Sequence, residues 1–285
     1  MKSMRSCAPN QSHESINRAA SARRRSNALA MILALAIVVL AAGQPAAGLT
    51  INLIQQNGDS DFAAVFEAAA DEWENTISDD LTVDVYFSWL SLSGGTGALT
   101  TVAFDDGDPE RPEAALIEVN SNISWFIDPT PAQHEEFSIY TEYTQDFGAG
   151  QINSGRVWTG ASLSGYDLFT AVLHEMGHAL GFISTSSTYQ ADNDDGDIDV
   201  TAPRPYAGSE FPLTSGAHLA VGTSLMSPTL ISNGRELISD IDLLTVGEMS
   251  KFESLVLLPE PGTGLTAILL AGACAARFRR PGPRR

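Results

Sequence analysis

The order of apolar patterns predicts an α+β fold: a single domain with a twisted mixed β-sheet, two helices behind it and a loop-rich second half. Three observations carry this reading. Residues 49–258 are about 210 residues, enough for one sizeable core and too few for two. In the first part of that span, alternating strand-like runs are interrupted by helical periodicity. After Gly181 the chain is dominated by turn residues and short apolar runs.

The elements follow in order. Leu49 to Gln55 alternates and reads as a strand. Phe62 to Ile77 brings Phe62, Val65, Phe66, Ala69 and Trp73 to one face and reads as an amphipathic helix. Leu81 to Leu90 returns to strand, and Gly94-Gly95 ends it. Ala114 to Val119 and Ser124 to Ile127 read as further strands, and Arg156-Val157-Trp158 as an edge strand. Asp167 is suited to cap a helix of about four turns. Leu168, Val172 and Ala179 give that helix an apolar face, and Gly181 is its left-handed stop. A last helix begins near Ser239, and no internal repeat is visible.

The helix ending at Gly181 contains His174-Glu175-Met176-Gly177-His178, an H-E-x-x-H pattern. Positions i and i+4 share a helix face, so both imidazoles can bind one metal ion. A histidine facing a core needs a polar partner. A shared metal explains two of them, one turn apart and flanking a glutamate, more simply than two separate hydrogen-bonding arrangements. Glu175 can reach a zinc-bound water without becoming a ligand. Zinc lowers the pKa of that water to about 7, and the carboxylate accepts its proton.

A third ligand must come from elsewhere. Of the five histidines, His13 lies in the expected leader, which leaves His134 and His218. His218 is the better candidate, forty residues beyond His178 and eight before Met226. His134, in Gln133-His134-Glu135-Glu136, reads as a surface histidine. Glu210 sits among prolines that exclude a helix interior. Glu236 and Glu248 lie in more helical surroundings, without a motif around them.

Asp192-Asn193-Asp194-Asp195-Gly196-Asp197 is similar to a calcium loop, in which close oxygens surround a hard cation. Aligned on Gly196, positions one and twelve are Ala191 and Ala202, so two expected carboxylates are missing. The segment reads as a solvated acidic loop, with a Ca²⁺ site built from Asp192, Asp194 or Asp197 as the alternative.

Taken together, His174-Glu175-x-x-His178-x-x-Gly181-Phe182, His218 and Leu225-Met226-Ser227-Pro228 resemble a metzincin-type zinc endopeptidase of the leishmanolysin-like kind. The likeness covers roughly residues 150 to 250. In the compact metzincin pattern the third histidine would stand at position 184, which is Ser184 here. In the leishmanolysin-like kind an insertion separates the glycine from that ligand. The resemblance implies a zincin-like fold, with an upper lobe of sheet and active-site helix over a loop-rich lower lobe. It also implies Zn²⁺ on His174, His178 and His218, Glu175 as catalytic base, Met226 in a methionine turn beneath the metal, and a protein or peptide substrate. Tyr189 and Tyr206 lie in the region from which an oxyanion-stabilising group would come, and neither has a motif behind it. The alternative from another class is an extracellular matrix or adhesion protein whose metal site is structural. A structural site is normally closed by a fourth ligand and has no use for a free carboxylate.

Both ends read as addresses. In residues 1–48, Arg23-Arg24-Arg25 precede an apolar run from Ala28 to Ala42 and small residues, as in a secretory signal peptide. In residues 259–285, Pro259-Glu260-Pro261 precedes an apolar stretch, Leu265 to Ala276, and then Arg277-Phe278-Arg279-Arg280. This resembles the PEP-CTERM sorting signal of Gram-negative bacteria. The resemblance implies a transient transmembrane helix in the inner membrane, an exosortase-type processing partner, and a secreted product that touches membrane only through its terminal segments. The full chain has 35 acidic and 16 basic residues, of which two acids and eleven bases lie outside 49–258. The remaining 33 acids against five bases give about −28, which excludes nucleic acid and anionic membrane surfaces as partners. Both cysteines, Cys7 and Cys274, also lie in the terminal segments, so burial and metal must hold the domain without a disulfide.

Overall fold

The computed structural model describes residues 48–107 and 109–257. The expected leader and the expected sorting tail, including its apolar stretch, lie outside the described residues. No helix among the described residues is long and apolar enough to cross a membrane.

The fold is α+β. Strands β1 (Leu49–Gln55), β2 (Leu81–Leu90), β3 (Ala98–Phe104) and β4 (Pro112–Asn120) form a four-stranded sheet in the order β1-β2-β4-β3. The pairs β1/β2 and β2/β4 are parallel, while β3 runs antiparallel to β4 on the outside. Helix α1 (Ser60–Glu74) makes the crossover that a parallel β1/β2 pair requires. Its bounds differ slightly from the helical periodicity. The Asp59 side chain accepts from the Phe62 amide, which starts the helix earlier. It also ends earlier, because the amides of Thr76 and Ile77 both turn back to the Trp73 carbonyl. The expected apolar face is buried, and Phe66 stacks on Phe87 of β2 at 4.0 Å between ring centroids.

The second half holds β5 (Trp125–Phe126), β6 (Ile139–Asp146), β7 (Gln151–Thr159), β8 (Tyr166–Asp167) and α2 (Leu168–Ala179). Beyond these come α3 (Ser187–Asp192), β9 (Asp197–Asp199), β10 (Glu210–Thr214), β11 (His218–Leu219), β12 (Arg235–Leu237) and α4 (Asp240–Met249). The expected edge strand at Arg156–Trp158 belongs to β7, which is the centre of a three-stranded antiparallel sheet with β12 and β6 on either side. The residues that cover it lie far along the chain, so periodicity alone gives no sign of its central place. The expected strand over 124–127 shortens to two residues paired with β8. After Gly181 the chain is loop-rich as expected, yet it also forms the small β11-β10-β9 sheet. Helix α2 packs against α1, β3 and β4, so two helices back the mixed sheet. One buried cluster runs through both halves, from Leu49 to Phe252.

Candidate metal centre

Every residue of α2 is buried. The position of such a helix is fixed by its ends and its few polar groups. At the N-terminus, Asp167 Oδ2 accepts from the Thr170 amide at 3.1 Å and from the Thr170 hydroxyl at 2.8 Å. The same carboxylate is held bidentately by Arg235, with both contacts at 2.9 Å. The fully buried Arg235 also reaches Asp128 at 2.7 Å and the carbonyls of Pro131 and Gln133. In mid-helix, Trp73 Nε1 donates to the Leu173 carbonyl at 3.0 Å, tying α2 to α1. At the C-terminus Gly181 has φ +109°, a conformation costly for residues with a Cβ, and the Ser250 hydroxyl donates to the Leu180 carbonyl.

This clamped helix presents His174 and His178 to His218, which β11 delivers from the other side. Each ring is oriented through Nδ1. His174 Nδ1 lies 2.7 Å from the Leu225 carbonyl, His178 Nδ1 2.6 Å from that of Phe182, and His218 Nδ1 3.0 Å from that of Ser215. A carbonyl can only accept, so all three protons are drawn to Nδ1 and the Nε2 lone pairs are left facing one another. The Nε2 atom of His178 lies 3.1 Å from that of His174 and 3.3 Å from that of His218. Such lone pairs repel unless a cation stands among them. Two imidazole nitrogens about 2.0–2.1 Å from a tetrahedral ion lie about 3.3 Å apart, so the spacing fits a metal ion. Burial and the neighbouring imidazoles push the His178 pKa well down, and burial lowers that of His218, which favours the neutral rings a metal needs.

Glu175 is held from the neighbouring sheet. Its carboxylate Oε2 accepts from the Thr100 hydroxyl on β3 at 2.6 Å. Burial raises its pKa, while His174 and the Thr100 hydrogen bond pull it back down. Beneath the helix lies Met226, fully buried. A Cβ on Gly177 would stand 2.5 Å from the Met226 sulfur, so the glycine lets that side chain approach α2. The turn holding Met226 is anchored by Asp242 in the first turn of α4. Asp242 accepts from the Met226 amide at 2.9 Å, the Leu225 amide at 3.2 Å and the Ser239 amide at 2.9 Å. Because the Leu225 carbonyl holds His174, this buried carboxylate orients a candidate ligand through one peptide unit.

Two of the three, His174 and His218, line a cleft of about 480 Å³. The Gly95–Ala98 segment, Glu175, Trp125, Tyr166 and Leu230 also line it.

Among the described residues, His174, His178 and His218 are the one group of three whose ligand atoms lie within 4.8 Å of one another. Asp192, Asp194 and Asp197 are not gathered in this way; Asp192 instead accepts from the Asp199 amide at 3.3 Å. His134 lies against the Trp158 ring, tilted by 33°, and sits beside Arg235. Glu248 binds Arg204 and Thr201, Glu236 is buried on β12, and Glu210 lies on β10. Tyr189 is buried in the core, and neither it nor Tyr206 lines the cleft. Thr100 and Arg235 carry no sequence signal, because each acts on a residue 75 to 107 positions away. Asp242, which acts on Met226 16 positions away, stands in a recognisable pattern, the Ser239–Asp242 capping box of α4. No family model, curated protein or solved structure matches this chain.

Proposed function

We propose that this protein is a secreted zinc-dependent endopeptidase, of the metzincin-type, leishmanolysin-like kind that its motifs resemble, with a zincin-like fold. The observation that carries the reading is the convergence of three histidine Nε2 atoms beside a buried carboxylate, with His174, His218 and Glu175 lining an open cleft. Zinc would be held by His174, His178 and His218, and when bound it supplies an electrophile and lowers the pKa of water to about 7. Glu175 takes the proton of the attacking water and returns it to the departing amine, a task suited to a carboxylate whose pKa burial has raised. An extended peptide can lie along β3, whose outer edge has no partner strand among the described residues and whose first residue, Ala98, lines the cleft. A structural site in a matrix protein would be closed by a fourth protein ligand, whereas the group found among the described residues has three members, two of which line the cleft. The leader and the Pro259-Glu260-Pro261 tail would bring the domain to the exterior by way of the inner membrane and an exosortase-type enzyme.

The test is metal content paired with casein hydrolysis. The wild type is expected to hold one zinc per chain and to cut casein. His218→Ala should lose most of the metal, and His134→Ala should keep it. Loss in the His134 variant with retention in the His218 variant overturns the ligand set.

A further inference from the structure

We propose that Thr100 is a positioning residue for Glu175, holding one carboxylate oxygen so that the other is left to the proton transfer; this rests on the peptidase reading. Four residues of β3 point inward: Ala98, Thr100, Val102 and Phe104. Three are apolar, and valine would fill the place of Thr100 with nearly the same shape. A buried hydroxyl is costly unless it is hydrogen-bonded, so its partner matters. Its short partner is Glu175 Oε2 at 2.6 Å, in the range of a hydroxyl donating to an ionised carboxylate, and the Glu175 main-chain carbonyl lies farther off at 3.3 Å. Thr100 is 7% exposed, so water does not compete freely for the bond.

The bond is also well braced. Thr100 pairs with Ile117 in the β3/β4 ladder, so the sheet fixes its backbone. Threonine is branched at Cβ, and its first torsion is stiff. Glu175, by contrast, has a flexible side chain with three torsions, and its position on α2 sets only the root of that chain. One short hydrogen bond therefore selects the carboxylate orientation. Oε1 has no hydrogen-bond partner among the described residues, and Glu175 lines the cleft. The same strand lines the cleft at Ala98, two residues before Thr100. A peptide laid on that edge and the base that serves it are thus referenced to one strand, and effective catalysis needs such mutual placement.

The experiment compares wild type, Thr100→Val and Thr100→Ser in the full chain, with zinc content, kcat and KM on a casein-derived peptide. Thr100→Val should keep its zinc and its KM. Its kcat should fall roughly ten- to a hundredfold, less than the 10²–10⁴-fold expected for losing a general base outright. Thr100→Ser, which restores the hydroxyl, should recover most of the rate. A second measurement needs no activity. In the metal-free protein, Thr100→Val should lower the thermal midpoint more when Glu175 is present than in a Glu175→Met background, where only the contact to the main-chain carbonyl is left to lose, because the two effects are coupled. An active wild type matched by Thr100→Val, a Ser variant that recovers nothing, or additive midpoints overturn the inference alone. A wild type that binds zinc and cuts no peptide overturns the peptidase reading, and the inference with it. Should Thr100→Val fail to fold, the Ser variant decides.

Discussion

Glu236 shows at the scale of one residue how far this fold tolerates buried acid. It is 1% exposed, its Oε1 has no hydrogen-bond partner, and burial together with nearby Asp242 pushes its pKa up to about 8. The sign of the consequence follows from linkage. The folded state keeps a proton that the unfolded chain releases near 4.5, so stability falls as pH rises from there to about 8. Asp192, raised to about 6, contributes with the same sign but is spent at lower pH. The thermal midpoint should therefore drop between pH 7 and pH 8.5 in the wild type, and Glu236→Gln should flatten that part of the curve. A wild-type midpoint that rises over this interval would contradict the burial of a neutral Glu236. The same scale marks the limit of sequence reading. The two histidines and Glu175 declare themselves through spacing on one helix, and His218 through elimination and its distance from Met226. Arg235 and Thr100 are ordinary letters in ordinary strands, and only the folded path brings them to Asp167 and Glu175.

Helix α2 is the element on which the account depends, and Gly177 tests its packing. In an exposed helix Gly→Ala stabilises by about 0.5–1 kcal/mol, through reduced freedom of the unfolded chain. Here the added Cβ would meet the Met226 sulfur at 2.5 Å and a Trp73 ring carbon at 3.3 Å. Overpacking in a full core costs about 1–3 kcal/mol, which exceeds the helical gain. Gly177→Ala should thus lower stability in denaturant unfolding and weaken metal binding, because the displaced methionine turn also holds His174 through Leu225. Unchanged stability would show that Met226 yields without cost. Elements with strong local signals were legible: β1, α1, β2, β4, the capped α2 and the start of α4. Those missed or misjudged, β3, β6, β7 and the short strands after Gly181, owe their form to partners distant in sequence. β6 is mostly exposed and polar, so it has no alternation to read. β7 is buried through most of its length, so alternation fails there for the opposite reason.

Across the whole molecule the acid excess shapes what can approach. All five basic residues of 49–258 are engaged: Arg111 with Asp79, Arg156 with Tyr140 and the Ile238 carbonyl, Arg204 and Lys251 with Glu248, and Arg235 with Asp128 and Asp167. No arginine or lysine lines the cleft. A cationic peptide should therefore be cut with higher kcat/KM than an acidic one of the same length. The gap should narrow as salt rises from 0.01 M to 1 M and the Debye length shrinks from about 30 Å to about 3 Å. A preference for the acidic peptide would contradict the electrostatic account. The central claim is that Glu175 is the base beside a metal held by three histidines, and one comparison reaches it directly: casein hydrolysis by Glu175→Gln and wild type at equal zinc content. The substitution keeps size and removes the base, so hydrolysis should fall on the order of 10²–10⁴-fold with zinc retained. A Gln variant that cuts casein as fast as the wild type would contradict the claim.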